Sequence, residues 1–171
     1  MSLPEWTEAG LLPPGAHPAT LSDIYDRFVL DTPPATREQR ELIFAALSLH
    51  LRLVQRIITG GKAWVDGSFA TRTELSPNDV DVAIGPADWQ QVESLPPADR
   101  ARLYPLLTLK DVAVAEPTIW LSKVQPVSGL VDAFIMRPDQ EATWDQQWSR
   151  VLGPDRTVLE DQKKGYAEVT W

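Results

Sequence analysis

Trp64-Val65-Asp66-Gly67-Ser68-Phe69, followed after a polar loop by Asn78-Asp79-Val80-Asp81-Val82-Ala83-Ile84, is the stretch that decides the fold. It reads as a short apolar strand ending in a Gly-Ser turn, then a second apolar strand that carries two acids. Side chains alternate sides along a strand. Asp79, Asp81 and Ala83 therefore share one face, and Val80, Val82 and Ile84 share the other. Neighbouring carboxylates repel, so such a pair belongs at a strand end, solvated or holding a cation. A hard divalent ion with oxygen ligands, Mg²⁺ or Mn²⁺, is the natural candidate.

Working outward, a helix is predicted over about Arg37–Ile58, ahead of Gly60-Gly61. Thr36 and Gln39 have capping-box spacing. Ile43, Ala46, Leu47, His50, Val54, Ile57 and Ile58 form one apolar stripe. Arg37, Glu38, Arg40, Glu41 and Arg52 lie mostly off it, and His50 sits on its margin as a helix-surface or core-edge residue. Neither His50 nor His17 is a catalytic candidate. Residues 1–35 are rich in proline and read as an arm wrapped over the domain, with one short helix near Leu21–Phe28 capped by Thr20 or Ser22.

Beyond the acidic strand, Ala87–Val92 and Pro97–Leu107 read as helical, the latter interrupted by Pro105. Val112–Ala115 and Ile119–Val124 are candidate strands. Gly129–Met136 is a clearer one, apolar except for Asp132. Asp139 is placed to cap a helix carrying Trp144, Trp148 and Val151, ended by Gly153-Pro154. Tyr166–Trp171 alternates as a closing strand. The chain reads as one α+β domain over 1–171, a small mixed β-sheet flanked by helices: arm 1–35, core 36–136, and a C-terminal helix with closing strand over 137–171.

The totals set limits. The 171 residues are enough for one real core, and 43% hydrophobic residues argue against general disorder. With no cysteine, disulfides and thiolate zinc sites are excluded. No stretch has the length to span a bilayer, and residues 1–10 lack the basic-then-apolar order of a secretory signal. A cytoplasmic location is the expectation. A net charge of −8 argues against bulk nucleic-acid binding, while leaving room for a local patch that docks a tRNA end.

An isolated acid within Leu-Val-Asp-Ala-Phe-Ile is costly if buried without a partner. If that strand lies beside Asp79–Ile84, then Asp79, Asp81 and Asp132 converge. They then supply oxygen ligands for the paired Mg²⁺ ions that serve in-line nucleotidyl transfer, and Asp132 is the natural base or ligand for an attacking hydroxyl. Gly67 lets backbone approach a phosphate, Ser68 offers an N–H and a hydroxyl, and Thr71 and Arg72 add a second hydroxyl and a planar cation. The phosphate-loop Lys motif, the dinucleotide Gly-x-Gly-x-x-Gly and the Gly-x-Ser-x-Gly hydrolase elbow are all absent. The seven tryptophans read as packing residues rather than base-stacking platforms; Lys123, Lys163 and Lys164 could meet phosphate, although lysines are usually solvated.

Gly67-Ser68, Asp79-Val80-Asp81-Val82 and Val131-Asp132-Ala133 together resemble the polymerase-beta-like nucleotidyltransferase superfamily. Asp66-Gly67-Ser68-Phe69-Ala70-Thr71, Pro77–Asp81 and Leu12–His17 with Arg27-Phe28 resemble a group of short nucleotidyltransferase-like proteins of bacteria and phages. The resemblance implies a nucleotidyltransferase-like sheet, Mg²⁺ at the three acids and a nucleoside triphosphate such as ATP as donor. It also implies a protein, tRNA or small-molecule acceptor, in a toxin–antitoxin or phage-defence setting. The alternative is a binding module that keeps the fold and holds a partner protein.

Overall fold

The computed structural model describes residues 2–114, 119–153, 155 and 157–171. Elements follow in chain order: β1 (Gly15–Pro18), α1 (Leu21–Tyr25), α2 (Arg37–Gln55), β2 (Gly61–Asp66), β3 (Val80–Pro86), α3 (Trp89–Glu93), α4 (Pro97–Leu103), β4 (Leu109–Val114), β5 (Ile119–Val124), β6 (Val131–Ile135), α5 (Glu141–Trp148), β7 (Arg150–Leu152), β8 (Val158–Lys163) and β9 (Gly165–Thr170). The main sheet is mixed, in the order β1-β9-β2-β3-β6. The β1–β9 and β3–β6 pairs are parallel; β2 runs antiparallel to both β9 and β3. Two hairpins, β4–β5 and β7–β8, stand outside it.

The alternation of the central strands divides the protein into two apolar layers. Val65, Val82, Ala133 and Ala167 belong to the main core with Ile43, Leu47 and Val54 of α2. On the other face Trp64, Ala83, Tyr166 and Met136 pack against Trp148, with Phe134 and Trp144 at the edge. The Trp64 and Tyr166 rings lie 4.6 Å apart, and Trp148 meets Tyr166 edge-on at 6.2 Å. Burial and the carboxylate of Asp145, which accepts the Tyr166 hydroxyl at 2.6 Å, push the phenol's pKa upward. Packing thus accounts for Trp64, Trp144 and Trp148, whereas Trp120 is 72% exposed on the β4–β5 hairpin.

Several expectations are corrected. Residues 1–35, expected as an arm, supply β1, an edge strand of the main sheet, then α1 and a π-helical turn over Asp26–Leu30. β1 is only four residues long and ends in Pro18, tolerable because it is an edge strand. The α1 cap is Thr20, in a reciprocal capping box with Asp23. Thr36 makes no such box with Gln39. Its hydroxyl donates to the Pro33 carbonyl and accepts from Arg40 Nε, and α2 ends at Gln55, before Ile58.

Arg40 does not lie off the stripe but is wholly buried, and His50 is wholly buried rather than marginal. His50 Nε2 bonds the Leu106 carbonyl at 2.8 Å, and burial lowers its pKa. Tyr104–Leu106 is a 3₁₀ turn around Pro105 instead of a continuation of α4. Asp139 lies in a 3₁₀ turn and does not cap α5; Val151 belongs to β7, not to the helix. β9 lies between β1 and β2, inside the sheet rather than closing its edge. Ala115 and Pro154, invoked for a strand end and a helix end, lie outside the described residues.

Candidate functional site

β2 and β3 pair with Asp66 opposite Asp81, and β3 and β6 pair with Asp81 opposite Asp132. Paired residues on neighbouring strands point to the same face. The three carboxylates therefore form one row across three adjacent strands, on the face opposite α2. Asp79 sits one residue before β3, outside the strand in which it was expected, yet close enough for its charge to act on Asp81. Parallel pairing of two strands distant in sequence thus brings Asp81 and Asp132 side by side.

Each acid has its own surroundings. Asp66 is buried, and Lys164 Nζ lies 2.5 and 2.6 Å from its two oxygens. Burial raises the Asp66 pKa, and the Lys164 ammonium opposes that rise. Asp132 accepts from Thr108 Oγ1 at 2.6 Å and from Lys123 Nζ at 2.5 Å. Asp79 accepts from Gln125 Nε2 at 2.8 Å. Asp81 sits in the middle and, among the described residues, forms no ion pair. Burial first, then the charges of Asp66, Asp79 and Asp132, push its pKa up to about 7, against the pull of Lys164.

The turn after β2 fits tightly over this row. Gly67 has φ +84°, and a Cβ there would lie 2.5 Å from Asp81 Oδ2, so only glycine fits. Ser68–Ala70 forms a 3₁₀ turn behind it, with Thr71 Oγ1 donating to the Ser68 carbonyl at 2.8 Å. Arg40 braces the turn from below: its guanidinium donates to the carbonyls of Phe28, Phe69 and Thr71 at 2.8–2.9 Å. Desolvation lowers the Arg40 pKa to about 10, so it remains charged at neutral pH.

A cavity of about 560 Å³ opens between this turn and the C-terminal segment. Asp66, Gly67, Ser68, Thr71, Asp81 and Lys164 line one side, and Trp148 and Arg150 lie on the other. Asp79 and Asp132 do not line it; they flank Asp81 toward the β4–β5 hairpin. Arg72 is not brought in either. It is exposed, with its backbone N–H tied to the Gly10 carbonyl. The connection that delivers β6 runs through Val127, Ser128 and Gly129 at φ +49°, +56° and +90°. Left-handed backbone at a β-branched residue is strained and persists only where surrounding structure enforces it.

Three side chains of this cluster were not placed with the acids by the sequence reading: Asp66, Lys123 and Lys164. Asp66 was visible as an acid closing an apolar strand just before a glycine. The two lysines gave no local signal, because their acidic partners are supplied by separate strands. Among the described residues, no three His, Cys, Asp or Glu side chains form a ready-made metal cage. The donor set, carboxylate oxygens in a row, is nevertheless of the kind that a hard divalent ion takes.

The chain belongs to DUF6932, a family of unknown function whose model matches residues 4–170. No curated protein and no solved structure matches it.

Proposed function

We propose that the chain is a Mg²⁺-dependent nucleotidyltransferase that moves a nucleoside monophosphate from a nucleoside triphosphate to a hydroxyl. The observation that carries this reading is the in-register row Asp66-Asp81-Asp132, with Asp79 beside it and the Gly67-Ser68 turn pressed against Asp81. In the reaction the acceptor oxygen bonds to the α-phosphorus, the bond from that phosphorus to the pyrophosphate oxygen breaks so that pyrophosphate leaves, and the hydroxyl proton passes to the Asp132 carboxylate and from it to water. Mg²⁺, when bound, supplies charge neutralisation and a lowered pKa for the attacking hydroxyl. Asp79, Asp81 and Asp132 are the residues to hold it, with Asp66 behind Asp81.

The turn and the cavity divide the work. Ser68, Thr71, Lys164 and Arg150 line the cavity, bringing hydroxyl-bearing and cationic residues to it, so the triphosphate belongs on that side. Asp132, on the far side of Asp81, belongs with the acceptor. Lys123 on Asp132 and Lys164 on Asp66 neutralise the outer acids.

Those same two ion pairs favour a second reading, in which the fold is a binding module whose acids are permanently satisfied by lysines. Incubation with labelled triphosphates, Mg²⁺ or Mn²⁺ and a cell lysate separates the two. The enzyme reading expects label transfer by the wild type, none by Asp81→Asn, and none by Asp132→Asn even though that variant still binds triphosphate. Equal labelling by wild type and Asp132→Asn refutes the role given to Asp132. An unlabelled lysate with every triphosphate, alongside retained partner binding, favours the module.

A further inference from the structure

The outward face of α2 carries an apolar stripe that the monomer leaves uncovered. Leu42, Leu49 and Leu53 are 52%, 50% and 36% exposed, and Ala45 is exposed between them. A single exposed leucine needs no explanation, but a continuous run does. At 100° per residue, Glu38, Leu42, Ala45, Leu49, Leu53 and Arg56 fall within an arc of about 80°. The buried residues Ile43, Leu47, His50 and Val54 lie on the other side of the helix.

The stripe is its own complement when reversed. Turned end for end about a point near Leu47, Glu38 faces Arg56, Leu42 faces Leu53, and the small Ala45 faces the large Leu49. Glu41 and Arg52, flanking the stripe, oppose each other in the same register. Among the described residues, Glu38, Arg52 and Arg56 have no ion-pair partner within the chain. A cavity of about 450 Å³ lies at the C-terminal end of the stripe, lined by Leu53, Arg56, Ile57, Arg102 and Leu106. Its two arginines suit the acidic first turns of an oncoming helix.

From the reversed leucine register and the charge complementarity, we propose that two copies of this chain pair through α2, antiparallel, as a twofold dimer. A twofold interface must be self-complementary, residue i on j and j on i, which is the property this face has. The acid row is on the opposite face of the sheet, so both candidate sites stay open in the dimer. The proposal does not rest on the reading of that site.

The test is the mass of the full chain in solution, by light scattering on a sizing column and by sedimentation across a concentration series. The expected result is twice the 19.1 kDa chain mass. Leu49→Glu, at an exposed position, should run as the 19.1 kDa monomer with an unchanged circular-dichroism spectrum, and its melt should lose the concentration dependence that a dimer shows. Glu38→Arg and Arg56→Glu should each weaken the dimer by about tenfold, because like charges then face each other. The double variant should recover most of that loss, since the swapped charges again meet across the twofold. A wild type that stays monomeric throughout the series overturns the proposal, and capture of a different protein by that monomer would assign the face elsewhere. A dimer that survives Leu49→Glu also overturns it. A double variant no better than either single variant overturns the antiparallel register.

Discussion

Asp81→Asn, melted in EDTA at a series of pH values, tests the electrostatics of the acid row without assuming any activity. Burial and three neighbouring carboxylates raise the Asp81 pKa from 3.8 to about 7. The folded state therefore holds a proton that the unfolded chain has released between those two values. Stability from this group is fully present below pH 3.8, falls as pH rises through the window, and stays lost above about 7. At about 1.4 kcal/mol per pH unit, the full loss is about 4 kcal/mol. Asparagine mimics the protonated side chain at every pH. The variant should thus be more stable than the wild type by about 4 kcal/mol at pH 8 and about 2 kcal/mol at pH 5, with the gain vanishing below pH 4. For a chain of this size the pH 8 gain corresponds to roughly 10 °C in Tm. Adding Mg²⁺ at pH 8 should raise the wild-type Tm and leave the variant's nearly unchanged. An Asp81→Asn protein that is less stable at pH 8, or equally stabilised at pH 4 and pH 8, would refute the reasoning.

Lys164→Met strands the buried Asp66 carboxylate and should cost about 3–5 kcal/mol in denaturant melts, whereas Asp66→Asn/Lys164→Met should recover most of it; a single variant as stable as wild type would show the pair to be idle. Arg40→Met leaves the Phe28, Phe69 and Thr71 carbonyls without their buried donor and should cost about 3 kcal/mol or more. It should also speed amide exchange at Ala70 and Thr71, and unchanged exchange there would remove Arg40 from the support of the turn. Gly67→Ala puts a methyl against Asp81 Oδ2 on a left-handed backbone and should cost about 1–3 kcal/mol. Calorimetry should also find weaker triphosphate binding by Gly67→Ala, and undiminished affinity would move the donor phosphates away from this turn.

What was legible in the chain follows the reach of each signal. The two strands around Gly67-Ser68, the long helix and the Asp132 strand all announce themselves by local alternation or helical spacing, and each appears in the structure within a few residues. β1 did not, because four residues containing glycine and proline carry no pattern; their strand geometry comes from β9, whose Gly165 lets the Pro13 and Gly15 carbonyls approach closely. Arg40 read as a surface residue because charge on a helix is usually solvated. Its burial depends on three carbonyls from two other segments, the nearest of them 12 residues away. Val151 matched the helical period of Trp144 and Trp148, but that period continues past the point where Ser149 ends α5 and the chain turns into β7.

The acid row shows the same division at the level of chemistry. Asp79 and Asp81 were linked by period two within one strand, and Asp132 was joined to them only on the condition that its strand lay alongside. The parallel β3–β6 pairing meets that condition for Asp81. The antiparallel β2–β3 pairing then adds Asp66, for which no intrastrand spacing spoke. Charge balance completes the set. A row of three acids across adjacent strands is unfavourable unless cations offset it, and Lys164 and Lys123 do so at the two ends. The centre is left to Asp81, whose pKa burial and its acidic neighbours push up to about 7. Asp81 is therefore the position in the row where an added positive charge is worth most.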